Sequence, residues 1–76
     1  MKIYLTLRKG KKKKMVRAGT ARRFLSKLRK SDADYFNVKV EYEKHKDVYG
    51  DMVMFTNEYD GESKKEAIQA LQAFLE

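Results

Sequence analysis

The spacing of apolar side chains switches between two periods along this chain, and that switching restricts the fold more than any other feature. Ile3, Leu5 and Leu7 recur at every second residue, with Tyr4, Thr6 and Arg8 between them. A period of two puts one set on each face of a strand, so residues 2–8 are predicted to form a half-buried strand. Lys9-Gly10-Lys11 follows. A tight reversal there asks for a positive φ, which Gly10 adopts without a steric penalty. A second strand is predicted over residues 13–18, with Val16 and Ala18 joining the apolar face and Met15 and Arg17 on the other. The four lysines Lys11–Lys14 have poor strand propensity. They suit an edge strand, where charge discourages pairing with another chain.

The period changes after Gly19-Thr20. Ala21, Phe24, Leu25 and Leu28 fall at i, i+3, i+4 and i+7, one face of a helix over residues 21–30, with Thr20 as its N-cap. Arg22, Arg23, Lys27, Arg29 and Lys30 lie on the opposite face, and the last two also complement the negative end of the helix dipole. Residues 35–45 return to a period of two, with Phe36, Val38, Val40 and Tyr42 on one face. A strand over residues 52–57 follows, Val53 and Phe55 inward, after a reversal at Lys46-Asp47 or at Gly50-Asp51. Asp60-Gly61 closes the strand region. Ser63-Lys64-Lys65-Glu66 is a capping box, in which the Ser63 hydroxyl accepts from the Glu66 amide and the Glu66 carboxylate reaches back to Ser63. The helix it opens extends to about Leu75, with Ala67, Ile68, Leu71, Phe74 and Leu75 as its apolar stripe. The order is β-β-α-β-β-α. Each helix has one apolar stripe and each strand one apolar face, so the expected architecture is α+β. Both helices cover one face of a four-stranded, largely antiparallel sheet, in a single domain of residues 1–76.

The charge is distributed unevenly. Residues 1–31 hold thirteen Lys or Arg and no acid, whereas residues 32–76 hold five lysines and eleven acids, for a net charge of +7. Residues 8–17 are the densest part, with seven cations in ten positions. Such asymmetry points to an anionic partner, although a solvated lysine-rich surface would give the same letters. The chain has no cysteine, which removes disulfides and thiolate metal sites and suits a reducing, cytoplasmic location. No apolar run approaches the roughly 20 residues of a membrane span. The amphipathic helix 21–30 needs its narrow apolar face for the core, so no membrane partner is expected.

Catalytic chemistry has few candidates. The single histidine, His45, stands between two charged residues at a turn, and the acids Asp47, Asp51, Glu58 and Asp60 follow no calcium-loop spacing. No catalytic residue, cofactor or metal is expected. The partner expected instead is nucleic acid, DNA or RNA, gripped at its phosphates by a small accessory or regulatory protein. Arg8, Lys9, Lys11, Lys12, Lys13, Lys14 and Arg17 of the hairpin, with Arg22, Arg23 and Lys27 of the helix, are the candidate contacts. Five to seven of them give log K a slope of about −5 to −6 against log salt on duplex DNA. Lysine is a point charge with little directional readout, so Arg22 and Arg23 are the better candidates for bidentate or base-edge contacts. Tyr4 on the open sheet face is a secondary candidate, for base stacking. The alternative is a protein-interaction module, an adaptor or inhibitor docking on an acidic protein. A further form of it is a homodimer or larger self-association through the basic and acidic halves.

The segment Gly61-Glu62-Ser63-Lys64-Lys65-Glu66-Ala67 resembles the start of the last helix in double-stranded-RNA-binding domains, over about seven of the 76 residues. In that family a Lys-Lys pair at the helix N-terminus grips phosphates across a groove. The resemblance implies Lys64 and Lys65 as secondary phosphate contacts. Elsewhere the chain departs from the family pattern: no helix precedes the first strand, and too few residues separate His45 from Lys64 for two more strands.

Overall fold

The periods of two and 3.6 read from the letters are the periods the backbone adopts. The computed structural model describes residues 1–17, 19–45 and 50–76. Its elements are β1 (Lys2–Lys9), β2 (Lys12–Val16), α1 (Ala21–Lys30), β3 (Tyr35–His45), β4 (Met52–Gly61) and α2 (Lys64–Phe74). The strands form one antiparallel sheet in the order β2-β1-β3-β4, so β2 and β4 are its edges. The α1 connection carries the chain from β2 past β1 to β3.

Register explains the core. Leu5 lies opposite Val16 on one side and Val38 on the other, and Leu7 lies opposite Phe36. These residues share one sheet face, and Phe24 and Leu28 of α1 with Ala67 and Leu71 of α2 close over it. Both helices therefore cover the same face, giving the two-layer α+β fold. Phe24, Phe36, Leu5, Leu28, Leu71, Val38 and Val40 are each less than 2% exposed. Burying a side chain of this size contributes about 1.5–3 kcal/mol relative to leaving it in water.

The β1–β2 reversal is a two-residue turn, with Lys9 paired to Lys12. Gly10 has φ +58° while Lys11 stays at negative φ, the pattern of a type II′ turn. β2 runs from Lys12 to Val16; it starts one residue earlier than predicted and ends before Arg17, and Ala18 lies outside the described residues. At the start of α1, the Thr20 hydroxyl accepts from the Arg23 amide at 3.3 Å, as the N-cap reading requires.

Two expectations need correction. β4 was predicted to end at Asn57 but continues to Gly61. Its extra residues pair in register, Tyr59 with Val38 and Gly61 with Phe36, and Tyr59 packs against the core. That apolar contact outweighs the polar letters around it. The capping box is half formed. Ser63 Oγ accepts from the Glu66 amide at 3.2 Å, but the reciprocal arm runs through the Tyr59 hydroxyl. This hydroxyl accepts from the Ser63 amide at 3.3 Å and lies 3.2 Å from Glu66 Oε2 and 3.3 Å from the Ser63 carbonyl.

The β3–β4 register ends at His45 opposite Met52, and of the two predicted reversals the one at Lys46-Asp47 lies outside the described residues. Residues 46–49 lie outside the described set. This hairpin outruns the helices. Eleven residues of strand span about 36 Å, whereas eleven of helix span about 16 Å. Val53 and Phe55 do lie on the helix-side face, yet Phe55 is 38% exposed because no helix reaches it. It stacks instead on Tyr42, with ring centroids 5.7 Å apart and planes inclined by 20°. The arm gives the molecule its elongated extents of 47 × 22 × 20 Å.

Candidate nucleic-acid interface

The short edge strand β2 carries its lysines on both faces. Pairing opposite Lys9 and Leu7 places Lys12 and Lys14 on the helix side, and pairing opposite Arg8 and Thr6 places Lys13 and Met15 on the open side. On α1, Arg23, Lys27 and Lys30 follow at i, i+4 and i+7, one stripe of the helix. The two rows face each other across a groove of about 1290 Å³. Its cationic lining is Lys9, Lys11, Lys12, Lys13, Lys14, Arg23, Lys27 and Lys30, and its floor includes Leu7, Val16 and Ala33. Among the described residues, Asp32 is the only acid in the lining. Lysines two apart on a strand face are spaced by about 7 Å, and the helix stripe rises about 6 Å and then 4.5 Å per step. These intervals are comparable with the separation of successive phosphates along one nucleic-acid strand.

A latch holds the groove mouth. Lys9 Nζ donates to Asp32 Oδ2 at 2.6 Å. The Gly10 amide donates to Asp34 Oδ2 at 3.3 Å, and the Asp34 amide donates to the Arg8 carbonyl at 3.0 Å. The hairpin tip is thus tied to the segment that follows α1. The hydrogen bond and charge of Asp32 raise the Lys9 pKa above its ordinary value, and the same contact from Lys9 lowers that of Asp32. Both groups are exposed, so the pair contributes more to the placement of the tip than to stability.

The remaining predicted residues are distributed around this groove. Arg22 is exposed on α1 and is not part of the lining. Arg8 belongs to the open face, where its guanidinium carbon stands 4.2 Å from the centroid of the Tyr35 ring. Arg17 is exposed at the end of β2, with Nη2 3.9 Å from Met15 Sδ. Tyr4 is half-buried on the open face, paired with Lys39. Lys64 donates its ammonium to the Arg29 carbonyl at 3.3 Å, tying the start of α2 to the end of α1, while Lys65 is exposed. Lys30, Asp32, Tyr35 and Asn37 were not among the predicted residues. The stripe from Arg23 through Lys27 already pointed to Lys30. The others come into place only through strand pairing.

Among the described residues no group of three or more His, Cys, Asp or Glu side chains gathers to hold a metal, and no polar or charged side chain is buried. Among the described residues no helix is long and apolar enough to cross a membrane. Comparison with known protein families, with characterised proteins and with solved structures finds no match to this chain.

Proposed function

We propose that this protein binds nucleic acid, chiefly at its phosphates, in the groove between β2 and α1, and catalyses no reaction. The observation that carries this reading is the groove itself: eight cations, from the β1–β2 hairpin and α1, line one channel against a single carboxylate among the described residues, which is already held by Lys9. A polyanion entering the channel meets seven cations that pair with no acid among the described residues, and releases the counterions condensed on its own phosphates. The apolar floor gives sugars and bases a surface to lie against. A small accessory protein working in the cytoplasm fits the absence of cysteine.

The test is a mobility-shift screen with single- and double-stranded DNA and RNA at low salt. Binding is expected, together with copurifying nucleic acid that high salt strips. Reversing the charge of Lys11–Lys14 to Glu is expected to abolish the shift while the circular dichroism spectrum is kept. Absence of binding to all four probes would refute the reading.

A second reading, a protein-interaction module, is favoured by the β3–β4 arm, where Met52 and Met54 form an apolar pair on the open sheet face, 51% and 55% exposed. Exposed apolar clusters of this kind mark protein contacts. Recovery of a stoichiometric acidic protein partner in place of nucleic acid would favour it.

A further inference from the structure

We infer that the ligand of this surface is a single strand that wraps the β2 edge and lays one base against Arg8 and Tyr35 on the open sheet face. The inference rests on the nucleic-acid reading above and names the class of ligand. On the open face, Thr6, Arg8, Lys13, Tyr35 and Asn37 line an open hollow of about 320 Å³. Its principal member is Arg8, whose guanidinium carbon stands over the Tyr35 ring, 4.2 Å from the centroid. The ring contact restrains the Arg8 guanidinium, whereas Lys11–Lys14 have no such partner among the described residues, and Arg8 remains exposed toward the hollow. Arginine planes and aromatic rings are the surfaces on which unpaired bases stack. Asn37 donates to Glu58 at 2.8 Å, which holds its amide in one orientation beside the hollow.

The hollow and the groove lie on opposite faces of the sheet, and Lys13 lines both. A ligand that used both would turn around an edge one strand wide, about 5 Å. A duplex, with a persistence length of about 50 nm, does not make that turn. A single strand does, because each of its backbone links rotates freely. Phosphates then follow the groove past Lys12 and Lys14, the chain crosses the edge at Lys13, and the next base reaches Arg8.

The probes are an oligothymidylate of about 12 nucleotides, its duplex with oligoadenylate, and an abasic backbone of the same length. The intact single strand is expected to bind about tenfold more tightly than the duplex, and about 5- to 100-fold more tightly than the abasic strand. Arg8→Lys, which keeps the charge, and Tyr35→Leu, outside the core, are each expected to bring the intact-to-abasic affinity ratio toward one. Circular dichroism and thermal melting are the controls for folding of both variants. Equal or tighter duplex binding, an abasic strand that binds as well as the intact one, or an unchanged ratio in both variants would overturn the inference while leaving phosphate binding in the groove intact. If none of the three probes binds, the groove reading itself fails, and this inference fails with it.

Discussion

Neutralising two lysines of one strand face gives a quantitative test of the groove. Lys12 and Lys14 are exposed on the helix side of β2, and neither makes an ion pair or a side-chain hydrogen bond with the described residues. Lys12→Gln/Lys14→Gln therefore removes charge without removing a native contact, and stability is expected to change by no more than about 0.5 kcal/mol. Each phosphate neutralised contributes about −0.7 to the slope of log K against log salt on a single strand and about −0.9 on a duplex. A single strand engaging all seven unpaired groove cations has a slope of about −5, and the double variant is expected to lower its magnitude by about 1.4. Because each such contact adds about 0.7 log units on going from 1 M to 0.1 M salt, the affinity loss near 0.1 M is about 25-fold and shrinks toward none near 1 M. Fluorescence anisotropy over a salt series measures both quantities, with thermal melting as the control for folding. An unchanged slope, or an affinity loss of the same size at every salt concentration, would refute counterion release at these two positions.

Two further outcomes follow from contacts in the fold. An Ala Cβ at Gly61 would lie 2.6 Å from the Tyr59 hydroxyl, which also serves the Ser63 amide, so Gly61→Ala forces the ring off its partners. The net loss is expected to be about 1–3 kcal/mol, read by chemical denaturation; a stabilised variant would show that the ring moves freely. The Asp32 pKa is depressed by Lys9, so the contribution of this pair is present at neutral pH and lost as pH falls through the lowered value, below about pH 4. Asp32→Asn is expected to flatten that acid limb of the stability curve slightly, and to tighten nucleic-acid binding at neutral pH by freeing Lys9. Weaker binding by this variant would assign the pair a positioning role that outweighs the freed charge.

The legible part of the fold was its local part. Ile3, Leu5 and Leu7, or Phe24 and Leu28, declare a strand or a helix because the side chain's face depends only on its position along one element. Element order, both helix starts and the apolar faces follow from that, and two layers are what four one-sided strands and two one-sided helices can form. Where a distant contact competed with local letters, the reading fell short. β4 looked finished at Asn57 because Glu58, Asp60 and Glu62 are polar, yet Tyr59 between them packs on the core and holds the strand in register. The same hydroxyl took over half of the Ser63–Glu66 capping box. The helices, at 1.5 Å per residue, were too short to shield Phe55 on a strand that advances more than twice as fast.

The sequence by itself determined that the chain has a basic end, that residues 8–17 form its densest part, and that a basic helix face follows. Charge is additive and needs no fold to be counted. Only the tertiary structure decided which cations act together. The edge position of β2 sorted Lys12 and Lys14 into the groove with Arg23, Lys27 and Lys30, and sent Arg8 to the opposite face against Tyr35. It also drew Lys9 to Asp32 and Lys64 to the end of α1. These partners lie 23 and 35 residues apart in the chain. Their meeting depends on strand order and on the crossover of α1, which are properties of the packed sheet and not of any single segment.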